Sequence, residues 1–547
     1  LGSLLAGFVL IPLLGIQPGF PAASSLYLVG GAVLFASDGA RTVGRVVLPA
    51  CALAAVALVN WLVPTRSIIE QSHHFLSDHG AEQRRLLWVD EGVGASIAIF
   101  DEGDGTTRHL TINGIVTAVD NYMDMQVHRM LSHLPMLLHP EPKRALVVGF
   151  GMGSTAYGCC QHEVERVDVV ELLRAEKQAA PYFEHINHGV LEDPKLRFIV
   201  GDGRNYLLGT SERYDVISFN AVHPRFSANL YTRDFYELCR ERMTEDGVLC
   251  AWFTQNSITD EEWRGLCGSL VGVFPHTSLW YSNPEHYCLI ASKTELRPDF
   301  AEWARRMGRP AVAADLSDSN LADPFVLATR YLLGTRALRE YVEGAPINTD
   351  DLARIEFSRE IQGLAFDIAA DLIERKEPAT SLFATEDAPT RERLAALEES
   401  TLWMMRGQNQ YWYRAGLRED LMRDEVFFKR AVAAAPENQD ARHDLGFSRI
   451  VRERVEAQVR AAPDAPGPSL ALARILREEA RLAEAEQLLL RVLAAPAAPP
   501  EARIELGVVR YLRGDMAGCV DVFSSFGVDP EKAPRFAAMQ AFALGSA

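Results

Sequence analysis

Residues 145–156 read ALVVGFGMGSTA, and they set the fold together with three later stretches: VDVVE (167–171), VGDGRNYL (200–207) and YDVISFNAVHP (214–224). Residues 145–148 are a short apolar run of strand type, and Gly149-Phe-Gly-Met-Gly153 follows directly. Glycines at Gly149, Gly151 and Gly153 let the backbone turn tightly and bring amide N–H groups to a ligand at the start of the next helix. Twenty-two residues after Gly149, a second apolar strand (167–170) ends in Glu171. An acid in that place accepts hydrogen bonds from both ribose hydroxyls. The third strand (196–200) ends in Gly201-Asp202-Gly203, where Asp202 can hold an adenine amino group. A glycine turn alone is common structural punctuation. The same turn with acids at the next two strand ends is specific, and predicts a nucleoside site of the S-adenosylmethionine kind built from Gly149, Gly151, Gly153, Glu171, Asp202 and Gly203.

Outward from this core, 547 residues exceed one hydrophobic core and imply several domains. Residues 1–16, 26–36 and 43–63 are nearly free of charge, and Arg41, Arg45 and Arg66 bracket the last of them. Together with Trp61 near its end, this pattern predicts transmembrane helices. The chain begins with Leu rather than Met, so further spans are expected upstream. Residues 67–84 form a polar linker in which His73, His74 and His79 read as solvated rather than metal-binding. RLLWVDEG, ASIAIFDE and RHLTINGIVTA alternate as a small antiparallel sheet does.

Eight cysteines without a C-x-x-C pair argue against zinc, and no metal is expected. The net charge of −18 excludes a nucleic-acid partner, which needs a basic face, and is compatible with a cationic substrate. From about Arg393 the composition turns to Ala, Leu, Glu and Arg at helical spacing. Leu470-Ala-Leu-Ala recurs as Ile504-Glu-Leu-Gly, and Ala485 as Cys519, each at 34 residues. That is the tetratricopeptide period. It serves either as a protein-docking groove or as a helical cap on the catalytic domain.

The stretches HLTINGIVTAVDNYMDMQVHRMLSHLPMLLHPEPKRALVVGFGMGST (109–155) and YDVISFNAVHPRFSANLYTRDFYELCRERMTEDGVLCAWF (214–253) carry a closer likeness. Over about residues 85–295 the chain resembles the spermidine synthase (polyamine aminopropyltransferase) family, in particular its membrane-fused bacterial branch. The resemblance implies decarboxylated S-adenosylmethionine, or S-adenosylmethionine itself, as cosubstrate. It also implies an amine-binding half with Asp124, His128 and Tyr281 as substrate-binding residues, Tyr281 walling the polyamine channel. The family's gate loop reads D-x-x-D-P, and its two carboxylates attract the cationic amine and take its proton. Here those positions are Asn220 and His223 in NAVHP. Asparagine cannot take up a proton; histidine can, but supplies no fixed negative charge. Arg129 stands where the family helix has Glu, and Thr117 where Gln follows the hairpin.

The expected architecture is α/β: a class I S-adenosylmethionine-dependent transferase (Rossmann-like) core with a small N-terminal β-subdomain. Transmembrane helices precede it and an α-helical repeat region follows. The boundaries are transmembrane helices 1–66, linker 67–84, β-subdomain 85–120, Rossmann domain 121–345, connector 346–392 and tetratricopeptide-like repeats 393–547. The expected setting is a bacterial inner membrane, multi-pass, with the catalytic domain cytoplasmic. Expected partners are the membrane, a small-molecule amine or other acceptor, a protein on the repeats, and a second copy of the chain. Two function classes stay open. One is a spermidine-synthase-like transferase with an altered acceptor site, Asn220 and His223 holding the catalytic positions. The other is a catalytically silent nucleoside-binding module of a transporter-like protein, or a methyltransferase on another acceptor.

Overall fold

The computed structural model describes residue 54 and residues 85–526, apart from 92–94, 103–106, 359–365, 386, 416–424, 464, 479–480 and 495–497. Four antiparallel strands, β1 (Arg85–Glu91), β2 (Ser96–Asp101), β3 (Arg108–Ile112) and β4 (Ile115–Val119), form the first sheet in sequence order. The tight β3–β4 turn puts Asn113 at φ 51° and Gly114 at φ 83°, left-handed positions that Asn and Gly tolerate.

The second sheet comprises β5 (Arg144–Val148), β6 (Arg166–Glu171), β7 (Leu196–Val200), β8 (Tyr214–Phe219), β9 (Met243–Thr254), β10 (His276–Tyr281), β11 (His286–Ser292) and β12 (Tyr331–Leu333). Its order is β12-β10-β11-β9-β8-β5-β6-β7. The half from β7 to β9 is parallel, and β11, β10 and β12 add antiparallel to it. Strand β5 sits centrally and is buried from Ala145 to Val148, so that run is apolar. Its side chains still alternate: Leu146 and Val148 enter one core with Phe219, Phe235 and Trp263, while Ala145 and Val147 enter another with Cys159 and Val167.

The helix Tyr122–Leu138 lies across this sheet and is enclosed from Met125 to Leu138. Its polar residues Gln126, His128, Arg129, Ser132 and His133 are therefore buried, and each must find a partner inside the protein. Arg129 pairs with Asp315 at 2.8 Å, and His133 Nε2 meets the same carboxylate at 2.7 Å. The family-like Glu position is thus a structural cation here, tying the helix to Asp315. Thr117 donates to the Leu110 carbonyl at 3.1 Å within the first sheet.

Beyond the sheet the chain is helical. Pro466–Glu478 and Leu482–Ala494 are followed 34 residues later by Pro500–Leu512 and Met516–Phe526. Ala485 and Cys519, which share that offset, are both fully buried. Earlier helices dock on the catalytic domain. From Gln439–Ala461, Asp440 receives Gln126 Nε2 at 2.8 Å, pairs with Arg330 and accepts from the Tyr122 hydroxyl, while Tyr122 stacks on His443 at 3.8 Å.

Among the described residues no helix is long and apolar enough to cross a membrane. The longest of them, Ala388–Ala415, carries Arg391, Glu392, Arg393, Glu398, Glu399 and Arg406, the charge load of a water-facing helix rather than a span. The multi-pass, inner-membrane placement is corrected accordingly and goes no further. The apolar segments 1–16, 26–36 and 43–63 on which it stood, and the linker 67–84, lie outside the described residues, residue 54 apart.

Candidate functional site

The glycine turn leaves β5 with Gly149 at φ 91°, Gly151 at φ 56° and Gly153 at φ 85°, conformations that side chains resist. Gly149 is also pressed against its neighbour: a Cβ there would lie 2.6 Å from the Asn220 carbonyl oxygen. Gly203 is fixed the same way, since a Cβ would lie 2.4 Å from Val148 Cγ1. It opens the helix Gly203–Gly209, which is capped by Asp202 accepting the Asn205 N–H at 2.8 Å.

Glu171 ends β6 with its carboxylate wrapped around the turn. Oε2 accepts the Phe150 N–H at 2.8 Å and Oε1 the Leu173 N–H at 2.6 Å. The buried Glu176 shares a side-chain hydrogen bond with the same carboxylate, which leaves one lone-pair direction for a hydroxyl donor. The strand ends of β5, β6, β7 and β8 thus bring the glycine turn, Glu171, Asp202 and Asn220 to one edge of the parallel sheet. In doubly wound sheets, ligands bind there.

Sequence reasoning missed Glu176, which is buried and accepts the Gly151 N–H at 2.6 Å. Burial, and then the neighbouring Glu171, push its carboxyl well above the usual carboxylate range. Its spacing five residues past Glu171 gave no signal, because the contact needs the helix after β6 to fold back over the turn.

The opposite half gathers the gate loop against Tyr122–Leu138. Asn220 Nδ2 lies 3.1 Å from His128 Nδ1, and Thr155 Oγ1 lies 3.4 Å from the same nitrogen. The Asn220 amide donates, so His128 presents a lone pair at Nδ1 and carries its hydrogen on Nε2. Burial, the dominant cause, lowers the His128 pKa to about 4. His223 has both ring nitrogens committed: Nε2 donates to the Asn256 carbonyl at 2.7 Å, and Nδ1 accepts the Arg225 N–H at 3.2 Å. Arg225 in turn reaches the Ser257 carbonyl at 2.9 Å and Glu262 at 3.0 Å, pinning the loop to the segment after β9.

Asp124 is held by Asn121, whose Nδ2 donates to it at 2.6 Å. His286 Nε2 stands 3.4 Å from Asp124 on the other side. Tyr281 is fully buried; its hydroxyl donates to Gln408 at 2.7 Å, and the Arg330 guanidinium lies 5.6 Å from its ring. Gln408 passes the network to Asp444 at 2.7 Å. The position expected to wall a channel is therefore packed beneath the C-terminal helices. Arg330, Gln408, Asp440 and His286 all escaped the sequence reading, since their partners are far away in the chain.

One grouping among the described residues has metal-ligand spacing, His139 with Asp215 and Asp246, their atoms within 4.8 Å. It lies at the starts of β8 and β9, away from the strand ends just described. His139 Nδ1 accepts the Glu141 N–H at 3.1 Å, so Nε2 holds the ring hydrogen and offers a metal no lone pair. Asp215 Oδ2 already takes the N–H groups of Lys143 and Arg144 at 2.8 and 2.9 Å.

Comparison with known proteins gives a match to the spermine/spermidine synthase domain over residues 124–288. A polyamine aminopropyltransferase of Thermotoga petrophila is 30% identical over 202 residues, 36% of this chain and 67% of that protein. Polyamine aminopropyltransferase 1 of Pseudomonas aeruginosa is 27% identical over 243 residues, 43% of this chain and 82% of that protein. The crystal structure of spermidine synthase from Thermotoga maritima matches at 25% identity with a TM-score of 0.35, covering 43% of this chain and 88% of that one.

Proposed function

The chain belongs to the polyamine aminopropyltransferase family, and we propose that it moves an aminopropyl group from decarboxylated S-adenosylmethionine to an amine acceptor different from that of its relatives. The observation that carries this reading is the nucleoside end. Gly149, Gly151 and Gly153 form the turn under the ligand, Glu171 receives the ribose hydroxyls, and Asp202 receives the adenine amino group, with Gly203 giving the base close access. Glu171 already grips two loop amides, which supports a preformed site.

The acceptor half supports an altered substrate. Asn220 and His223 hold the catalytic positions of the gate loop without any carboxylate, while Asp124 brings a negative charge from the helix beside them and His128 lines the same wall. Tyr281 bounds the far end under the C-terminal helices. A diamine thus meets one carboxylate rather than a gate-loop pair, and putrescine is expected to be a weak substrate. The 34-residue offset of the last two helix pairs supports a tetratricopeptide-like array that docks a protein.

Calorimetric titration of the full chain with decarboxylated S-adenosylmethionine, S-adenosylmethionine and methylthioadenosine tests the ligand site. The first and last should bind, and Glu171→Ala should weaken them by ~1.5–3 kcal/mol per lost charge-assisted bond. Equal affinity in folded wild type, Glu171→Ala and Asp202→Ala would sink the assignment. Binding without turnover across a panel of primary amines would favour the silent module, a reading to which the fully committed His223 ring lends support.

A further inference from the structure

His286 opens β11, with its backbone N–H held by Asn283 Oδ1 at 2.9 Å. Its Nε2 faces Asp124 Oδ1 at 3.4 Å, and its ring lies 5.5 Å from that of Trp252. A neutral imidazole facing a carboxylate through Nε2 keeps its hydrogen there, which leaves the lone pair on Nδ1. That Nδ1 is buried and has no hydrogen-bond partner. The titratable groups facing the ring are Asp124 and His128 from the helix Tyr122–Leu138, His223 from the gate loop, and Glu285 from its own hairpin.

The other two histidines are unsuited to take a proton. Nδ1 of His128 receives the Asn220 amide, and its burial holds it neutral down to about pH 4. His223 has neither nitrogen spare. Of these three histidines, His286 alone combines an unpartnered ring nitrogen with a carboxylate behind it, the arrangement in which an acid orients a base and stabilises its protonated form.

We propose that His286, oriented by Asp124, is the proton acceptor for the acceptor amine, standing in for the carboxylates that the gate loop lacks. The proposal rests on the aminopropyl-transfer reading above. Nδ1 of His286 takes a proton from the cationic amine, and Asp124 balances the imidazolium. The lone pair so freed forms the new C–N bond at the methylene beside the sulfonium, and the C–S bond breaks with its electron pair going to sulfur, leaving neutral methylthioadenosine and the product as a secondary ammonium. Burial opposes charge on this ring, but Glu285 and Asp124 outweigh it and place its pKa above the ordinary histidine value, which strengthens it as a base.

The test follows methylthioadenosine release from decarboxylated S-adenosylmethionine by the full chain, with a panel of primary mono- and diamines, between about pH 5.5 and 9.5. His286→Gln should lower kcat by ~10²–10⁴ with the KM for amine and the Kd for methylthioadenosine unchanged, and should abolish the acidic limb of the kcat profile. Asp124→Asn should move that limb to lower pH, because the ring loses a charge that favours its protonation; a purely structural role would not shift it. Wild-type turnover together with an unchanged profile in both variants overturns the His286 assignment alone. Absence of wild-type turnover on every amine overturns the transferase reading, and this assignment with it.

Discussion

Replacing Gly149 by alanine should damage the protein far more than the same change at Gly151, although both are glycines of one turn. At Gly149 the backbone φ of 91° lies where L-residues are strained, which costs about 1–3 kcal/mol. The new Cβ would also sit 2.6 Å from the Asn220 carbonyl oxygen. That oxygen cannot retreat easily, because the Asn220 N–H bonds to Val148 O at 3.1 Å and continues the β5–β8 ladder. Overpacking against fixed backbone adds a further ~1–3 kcal/mol. At Gly151 φ is 56° and a Cβ would meet nothing within 4 Å, so only the left-handed penalty of about 1–2 kcal/mol remains. The gain from a stiffer unfolded chain is common to both and cancels in the difference. Urea unfolding followed by the indoles of the buried Trp263, Trp280 and Trp303 measures the comparison. Gly149→Ala should lose at least ~1 kcal/mol more than Gly151→Ala, and should also disturb the His128–Asn220 contact. Equal losses at the two positions would refute the reasoning, since they would show that Asn220 does not crowd Gly149.

Acid should weaken the fold through His128. Burial holds its folded pKa at about 4, below the ordinary histidine value of 6.5, so the unfolded chain binds the extra proton between those values. Its contribution is intact above pH 6.5 and falls as pH drops toward 4, by about 3 kcal/mol in all; the urea midpoint of His128→Gln should depend on pH by one proton less over that window. Asp440→Asn should leave the Arg330 guanidinium buried without its charge partner and cost ~3–5 kcal/mol in the same unfolding assay, whereas Arg330→Met combined with Asp440→Leu should recover most of that loss.

How much of this was legible in the sequence depends on how far apart the interacting residues lie. The glycine-turn edge was legible because it is written locally. Each parallel strand ends, and its candidate site residue is the next one or two in the chain. Residues Gly149, Glu171 and Asp202 could therefore be placed once the strands were recognised. The acceptor end was not. Asn220 meets His128 across 92 residues, Tyr281 meets Gln408 across 127, and Gln126 meets Asp440 across 314. No periodicity encodes such pairings; they exist only when the gate loop, the buried helix and the C-terminal helices close on one another.

The same distinction governs the positions of the acceptor side when each is read with its partners. Asn220 looked like a lost acid, yet its amide holds His128 in one tautomer. Arg129 looked like a reversed charge in the substrate helix, yet it is fully buried and neutralised by Asp315. Tyr281 donates its hydroxyl to Gln408 on the helix Ala388–Ala415, a partner 127 residues away. A charge removed from an enclosed site must be answered elsewhere, because an unpaired ion or polar group there costs several kcal/mol. Around this acceptor half the answers come from other elements: Asp315 for Arg129, Asp440 for Arg330, Asp124 for His286. Arg129, Arg330 and His286 thus each meet their counter-charge on another element of the fold.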